Sequence, residues 1–122
     1  MNTVCYNGGS DRLIHEADQL ISYIERGSTV LKFYPRKRPE RRTLSVRRET
    51  HQVIWFRSGS PQRQAFEGAL DIRDIKEVRV GKSSKDFERW PEEIKRLENS
   101  KCFTIYYGGE FKLRSASFAG KQ

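Results

Sequence analysis

The fold of this chain is decided by residues 28–57, STVLKFYPRKRPERRTLSVRRETHQVIWFR. They contain three segments rich in β-branched and aromatic residues: 28–34, 41–48 and 51–57. Pro35 and Pro39 follow the first segment, and Glu49 and Thr50 separate the second from the third. Segments with a hydrophobic period of two, separated by such breaks, are typical of antiparallel strands joined by hairpins. This stretch therefore predicts three neighbouring strands of one sheet.

Four more segments of the same kind follow along the chain: 66–72, 75–80, 101–107 and 110–116. Seven short strands in sequence predict an antiparallel meander, which must close or fold over to cover its apolar face. The stretch 81–100 interrupts the pattern, because it is too long for a hairpin turn and is rich in charged residues. Since Phe87, Trp90 and Ile94 are spaced about as in a helix, we interpret it as a large surface loop with one or two helical turns.

A different period precedes the strands. From Ser10 to Arg26 the apolar residues form one stripe of a helix, and Gly27 is placed to end it. The polar face of this amphipathic helix mixes acidic and basic side chains, which does not favour a membrane-surface helix. A coiled-coil seam is a further alternative, but packing against its own domain is the use we expect.

The positive charge of the chain is concentrated in one stretch. The chain has 122 residues, enough for one domain, and 24 Lys plus Arg against 16 Asp plus Glu give a net charge of +8. Residues 28–48 alone contain eight Lys or Arg and one acidic residue, Glu40, for a local charge of +7. Such a patch attracts nucleic acid, an anionic lipid headgroup or an acidic protein face. The plainer alternative is a solvated hairpin that keeps the protein soluble.

Sequence patterns for catalysis and for cofactors are missing. Cys5 and Cys102 are far apart and, with His15 and His51, form neither a disulfide framework nor a zinc motif. No nucleotide-binding glycine loop and no nucleophile paired with a base can be recognised. We therefore expect a non-catalytic protein without metal or cofactor, in a reducing intracellular compartment. No apolar run approaches the length of a membrane span, so any contact with a membrane is expected from the surface.

Several motifs resemble one family, the pleckstrin homology (PH) domains at the N-terminus of phosphoinositide-specific phospholipase C, the gamma class in particular. They are DIRDIKEVRVGKSSKDFERW (71–90), LKFYPRKRPERRTLSV (31–46), ETHQVIWFR (49–57) and KCFTIYYGGEFKLRS (101–115). The resemblance implies a mainly β fold with some α structure, a PH-like seven-stranded antiparallel sandwich or barrel preceded by an N-terminal helix. The implied organisation is an N-terminal segment 1–27, a PH-like domain 28–118 and a tail 119–122.

A PH domain closes its sandwich with a C-terminal helix, and nothing after Ala116 has the pattern of that helix. We therefore expect the capping helix to be missing. Without it, four apolar residues are expected to be partly exposed: Leu44, Trp55, Leu70 and Phe103. The chain is then expected to be less stable than a complete domain.

The resemblance also implies a binding site at the open end of the barrel. Lys32 matches the first-strand lysine that holds a headgroup, and Arg42 matches the second-strand position. The first loop and its surroundings would add Arg36, Lys37, Arg38 and Arg41. Arg42 shares a strand face with Leu44 and Val46, so with these two turned inward Arg42 would project at the mouth of the barrel. Bidentate Arg and point-charge Lys suit the several charged oxygens of a phosphorylated inositol.

The resemblance implies a non-catalytic module that binds phosphoinositides, with 3-phosphorylated lipids favoured, in the cytoplasm with recruitment to the plasma membrane. The alternative is a protein-docking scaffold for other domains of a parent enzyme or for signalling proteins. Nucleic acid is a less favoured partner, because Phe33 and Tyr34 are the only aromatic residues interleaved with the basic loop.

Overall fold

The computed structural model describes residues 22, 24, 25, 27–57, 67–109 and 111–120. The predicted helix of residues 10–26 lies outside the described residues except for Ser22, Ile24 and Glu25. The described residues form seven strands: β1 Ser28–Phe33, β2 Glu40–Arg47, β3 Gln52–Phe56, β4 Gly68–Asp71, β5 Ile75–Val80, β6 Cys102–Gly109 and β7 Lys112–Ala119. All seven predicted strands are confirmed, although β7 begins two residues later and ends three residues later than predicted.

Short helical segments connect some of the strands. The stretch between β5 and β6 forms two helices, α1 Lys85–Glu88 and α2 Pro91–Ile94, which confirms the predicted helical turns. Three 3-10 helices are Arg48–Thr50, Ile72–Asp74 and Asn99–Lys101. Among the described residues, no helix has the length and apolar character needed to cross a bilayer.

The strands form one antiparallel sheet in the order β4-β3-β2-β1-β7-β6-β5. The first and last strands pair in its middle, with Leu31 opposite Ala119 and Phe33 opposite Ser117. Leu70 on one edge strand and Val78 on the other belong to the same hydrophobic cluster. Two edges of a seven-stranded sheet can share a core only if the sheet curls over on itself, and this gives the predicted PH-like arrangement.

The main core fills the inside of this curled sheet. The expected partial exposure of Leu44, Trp55, Leu70 and Phe103 is wrong, because all four side chains are buried. The Trp55 ring packs edge-on against Phe118, with 5.4 Å between centroids, and the Phe103 ring lies 5.6 Å from Phe118. The curled sheet thus buries these side chains in a core of aliphatic and aromatic residues from its own strands.

Two residues complete the closure of this core. Ile24, which precedes β1, is fully buried and belongs to the same cluster. Gly68 lets the Trp55 indole lie directly on the backbone of β4, since a Cβ at this position would be 2.2 Å from the ring. The division of the chain at residues 27 and 118 stays a prediction. So does the missing closing helix, because residues 121 and 122 lie outside the described part of the chain.

The stretch 81–100 covers the opposite face of the sheet. Phe87 on α1 is fully buried and packs against Phe33 of β1 with 4.7 Å between ring centroids. Cys102 and Ala119 complete this second cluster, and partly buried hydrophobic residues surround it: Leu31, Trp90, Ile94 and Leu97. The stretch was predicted as a surface loop, but it is a structural layer, because its apolar residues at helical spacing form a core of their own.

Local hydrogen bonds fix this layer. The Ser84 hydroxyl accepts the Phe87 N–H at 3.4 Å, which caps α1 at its N-terminus. Lys82 Nζ donates to the carbonyls of Ile94 and Leu97, at 2.9 and 2.8 Å. A cation at the C-terminal end of a helix stabilises carbonyl groups that have no partner within the helix.

The same layer holds the basic loop between β1 and β2, residues 34–39. Trp90 Nε1 donates to the Tyr34 carbonyl at 2.9 Å, and Arg89 Nε donates to the Pro35 carbonyl at 3.1 Å. These bonds tie the start of the loop to the segment between α1 and α2. The fold therefore gives the basic loop a fixed starting position.

Candidate anion-binding site

Lys32 and Arg42 point into the curled sheet from two neighbouring strands. Val30 lies opposite Arg42, and Lys32 lies opposite Glu40. Lys32 lies on the same face of β1 as Val30, because alternate residues of a strand share a face. Arg42 lies directly opposite Val30 on β2 and therefore projects to the same inner side. Their residues are only 6% and 4% exposed, respectively. The fold thus brings two of the predicted site residues together, and both are buried.

The aromatic ring of Tyr34 lies at the centre of the basic residues. Its centroid is 4.6 Å from Lys32 Nζ, 4.4 Å from Lys37 Nζ and 5.9 Å from Arg42 Cζ. Cations at these distances from a ring centroid are attracted by its negative face. Lys32, Lys37 and Arg42 around Tyr34 are called the Tyr34 cluster below.

Two carboxylates already pair with this cluster. Arg42 Nε donates to Glu67, and Arg42 Nη2 donates to Glu40 Oε1 at 2.5 Å. The Tyr34 hydroxyl also donates to Glu67. Lys37 Nζ lies 3.6 Å from Glu40 Oε1. Arg42 and Lys37 are therefore held in place by carboxylate groups, which, like a phosphate, carry negative charge and acceptor oxygens.

The remaining donors of the two buried cations face the backbone. Arg42 Nη1 donates to the Arg41 carbonyl at 2.7 Å. Lys32 Nζ donates to the Phe33 carbonyl at 2.8 Å and lies 5.7 and 5.4 Å from the ring centroids of Trp55 and Phe118. The Lys32 ammonium thus lies against the Trp55 and Phe118 rings, at the end of the main core that is nearest to the basic loop.

The surroundings shift the protonation of these groups. Burial lowers the pKa of Lys32, although the charges of Asp86 and Glu67 act in the opposite direction. Burial disfavours the charged form of Glu67, but hydrogen bonds from Tyr34 and Arg42 outweigh it and lower the pKa of Glu67. Burial and the hydrogen bond to Glu67 raise the pKa of Tyr34. At neutral pH, Glu67 is therefore ionised and Tyr34 is a neutral donor.

Of the other predicted site residues, Lys37 belongs to the cluster and the remaining three lie outside it. Arg36 and Arg41 are exposed and, within the described ranges, take part in no ion pair. Arg38 extends to Glu93 on α2, with Nη2 2.8 Å from Oε2. Lys37 belongs to the cluster through its contact with Tyr34. The predicted set is therefore divided into a buried group and an exposed group.

Sequence reasoning missed two residues of the site: Tyr34, at the centre of the cluster, and Glu67, which pairs with it. Tyr34 lies two positions after Lys32, and the strand period could have placed it beside that residue. Glu67 is 25 positions from Arg42 and precedes β4, beyond residues 58–66 that the structure does not describe. No local sequence pattern connects Glu67 to Arg42, because only the curl of the sheet brings them together.

The chain is similar to much longer proteins. It is 42% identical over 106 residues to 1-phosphatidylinositol 4,5-bisphosphate phosphodiesterase gamma-2 of Rattus norvegicus and 43% identical over 106 residues to the protein of the same name from Homo sapiens. Each match covers 86% of this chain and 8% of the relative, so the chain matches only a small part of these proteins. No family model matches the chain.

Solved structures show the same fold. S. officinalis PLC21 matches with a TM-score of 0.58 and 18% identity, over 80% of this chain and 13% of that chain. A PH domain from TgAPH matches with a TM-score of 0.51 and 16% identity, over 93% of this chain and 81% of that domain. These structures confirm the predicted PH-like fold, and the sequence identity to the gamma-2 proteins confirms the predicted relation to the gamma class.

Proposed function

Because this chain is a PH domain related to the gamma-2 phosphatidylinositol 4,5-bisphosphate phosphodiesterases, we propose that it is a non-catalytic module that binds phosphorylated inositol headgroups at a membrane. The observation that carries the proposal is the Tyr34 cluster, in which two buried cations and one exposed cation converge on one ring. The proposed partner is a phosphoinositide in an anionic membrane.

The chemistry of the cluster supports a phosphate ligand. The Arg42 guanidinium offers several donors in a fixed plane, and Lys32 adds a compact charge that is already desolvated. A phosphate group that approaches them exchanges its hydrogen bonds with water for charge-assisted bonds, and it takes over the donors that now face Glu67 and Glu40. The ligand therefore competes with carboxylates of the same chain.

The exposed cations contribute at longer range. Arg36 and Arg41 carry positive charge on the surface of residues 34–41, and Arg38 adds a third charge beside Glu93. Exposed charges of one sign attract an anionic bilayer over about 8 Å at physiological salt. We assign these residues to the approach and Lys32 and Arg42 to recognition of the headgroup. Following the gamma-class relation, we place this activity at the cytoplasmic face of the plasma membrane, with 3-phosphorylated lipids preferred.

Liposome co-sedimentation tests this function. Vesicles of equal net charge but different headgroups are compared for the wild-type chain, Lys32→Ala and Arg42→Ala. The matched control is Arg73→Ala, which removes the same charge from an exposed residue just after β4 that pairs with Asp71, the last residue of that strand. We expect headgroup preference in the wild type and in the control and its loss in the two site variants. Binding that follows only total charge in every variant would contradict the proposal.

Docking to proteins is the second candidate function. Its supporting observation is that Glu40 and Glu67 already pair with Arg42, so the site can remain closed to lipids while the exposed Arg36 and Arg41 face an acidic partner surface. Other domains of a parent enzyme or signalling proteins are the proposed partners. This function is favoured if neither the wild type nor Glu67→Gln binds any phosphoinositide vesicle.

A further inference from the structure

The hairpin between β6 and β7 exposes apolar side chains. Phe111, in the turn, is 97% exposed, and Leu113, near the start of β7, is 63% exposed. Leu113 lies opposite Gly108, and the neighbouring Lys112 lies opposite Gly109. Because the residue opposite Leu113 on β6 is a glycine, no side chain from that position covers Leu113. Single exposed apolar residues are common on protein surfaces, but two large ones within three residues of one hairpin favour an interaction surface.

The register of the strands places this hairpin at the end of the sheet where the basic loop lies. β1 ends at Phe33, opposite Ser117 of β7. The part of β7 before Ser117, back to its first residue Lys112, extends beyond the end of β1. It extends toward the same end of the sheet as residues 34–39, which follow β1. Phe111 therefore extends beyond the end of β1, on the side of the Tyr34 cluster.

Basic residues alternate with the apolar ones along the hairpin. Lys112 and Arg114 are exposed, and the sequence of residues 108–114 contains one acidic residue, Glu110. An aromatic and an aliphatic side chain between cations suit the boundary of an anionic bilayer, because apolar groups enter the acyl region while Lys and Arg stay among the headgroups. The hairpin and the basic loop together place exposed apolar side chains and exposed cations at one end of the molecule.

We propose that Phe111 and Leu113 insert into the interface of an anionic bilayer while Lys32 and Arg42 bind a headgroup. This inference rests on the proposed function, since it takes the same membrane as the partner. Insertion adds an apolar contribution to the free energy of membrane binding, and this contribution does not depend on the chemistry of the headgroup. Burial of such a side chain contributes roughly a tenfold gain in partition for each residue.

The test measures binding to phosphatidylcholine vesicles that contain phosphatidylserine and the 3-phosphorylated lipid phosphatidylinositol 3,4,5-trisphosphate. The variants are Phe111→Ala, Leu113→Ala and the double variant. Val80→Ala is the matched control, because Val80 is 61% exposed and lies opposite Phe103, toward the other end of β6 from the hairpin. We expect a loss of roughly tenfold for each hairpin variant that persists at high salt, and no loss for the control.

A second readout separates insertion from headgroup recognition. Binding of soluble inositol 1,3,4,5-tetrakisphosphate, the free headgroup of that lipid, is expected to be unchanged in Phe111→Ala. The thermal midpoint is expected to be unchanged as well, because this side chain is almost fully exposed. Vesicle binding equal to that of the wild type would overturn the inference. So would an equal loss toward vesicles and soluble headgroup, or a self-association of the wild type that Phe111→Ala abolishes.

The two proposals fail in different ways. If the wild type binds with headgroup preference while Phe111→Ala has no effect, insertion is overturned and the proposed function stands. If Phe111→Ala weakens binding but no headgroup is preferred, insertion is supported and the headgroup function is overturned. If the wild type binds no vesicle at all, both are overturned.

Discussion

The Glu67 carboxylate accepts a hydrogen bond from Nε of Arg42, an arginine that is almost completely buried on the inner face of β2. The same carboxylate accepts a hydrogen bond from the Tyr34 hydroxyl. Without such a partner, the buried guanidinium would be an uncompensated charge, which is costly inside a protein. Glu67 therefore stabilises the empty site, and it occupies donors that an incoming phosphate needs.

Replacing Glu67 with Gln is expected to raise the affinity for a soluble inositol phosphate severalfold. Gln keeps the size of the side chain and removes the negative charge that competes with the ligand for Arg42. Isothermal titration calorimetry measures the change. The control is Glu92→Gln, which removes the same charge from an exposed residue paired with Lys95. An unchanged or reduced affinity in Glu67→Gln would show that Glu67 does not oppose the ligand.

The same substitution is expected to lower stability in a pH-dependent way. The hydrogen bonds from Tyr34 and Arg42 lower the pKa of Glu67 from its ordinary value of 4.5 despite partial burial. A carboxylate with a lowered pKa in the folded state stabilises the protein above the unfolded-state pKa and loses this effect as pH falls through the folded-state pKa. We expect Glu67→Gln to cost about 1 kcal/mol at neutral pH, a modest value because the Glu67 side chain is partly exposed to solvent and Arg42 keeps its ion pair with Glu40.

Urea denaturation at neutral and at acidic pH measures this difference. The gap in unfolding free energy between wild type and Glu67→Gln should narrow as the pH falls below 4.5, the ordinary pKa of the group. A gap of constant size at both pH values would mean that the ionised carboxylate is not the stabilising form.

Headgroup binding is expected to weaken on the alkaline side. Burial lowers the pKa of Lys32 below its ordinary value of 10.5, so Lys32 loses its charge at a lower pH than an exposed lysine. The pKa of Tyr34 is raised, and Tyr34 therefore stays protonated in this range. The affinity for an inositol phosphate should fall as pH rises through the lowered pKa of Lys32.

Lys32→Arg provides the comparison, because a guanidinium stays charged at every pH of the titration. We expect the alkaline fall in affinity to disappear in this variant, whatever its affinity at neutral pH. An alkaline fall of equal size in Lys32→Arg would assign the titration to another group of the site.

Gly68→Ala is expected to destabilise the domain by roughly 1–3 kcal/mol, the usual cost of forcing an extra methyl group into a packed core. The new Cβ would lie 2.2 Å from the Trp55 ring and would displace a central part of the core. Gly109→Ala is the matched control, because its Cβ would have no neighbour within 4 Å. Chemical denaturation measures both variants, and equal midpoints would refute the proposed packing of Trp55 on Gly68.

The strands could be predicted because their signal is local. A period of two between turn residues located all seven, and the position of Lys32 and Arg42 on adjacent strands followed from the same pattern. The burial of Leu44 and Trp55 could not be predicted in this way, because it depends on how far the sheet curls. The partnership of Arg42 with Glu67 likewise needs contacts across the closed sheet, and the sequence alone contains no periodicity that reports them.

The layer 81–100 was the hardest part to predict. Its many charged residues indicated a solvated loop, while the burial of Phe87 against Phe33 shows that a few apolar residues are sufficient to make it a second core. The charged side chains lie mostly on the outside of this layer. The high content of charged residues in 81–100 therefore did not reveal the few apolar residues that determine its structure.

The hydrogen bonds from Trp90 and Arg89 to the carbonyls of Tyr34 and Pro35 have a consequence for binding. Ordering a loop reduces its conformational entropy, and a ligand that must order the loop itself binds more weakly. Here part of that entropy is lost when the domain folds, before any ligand arrives. The layer 81–100 on the other face of the sheet thus influences how tightly the basic loop can hold a headgroup.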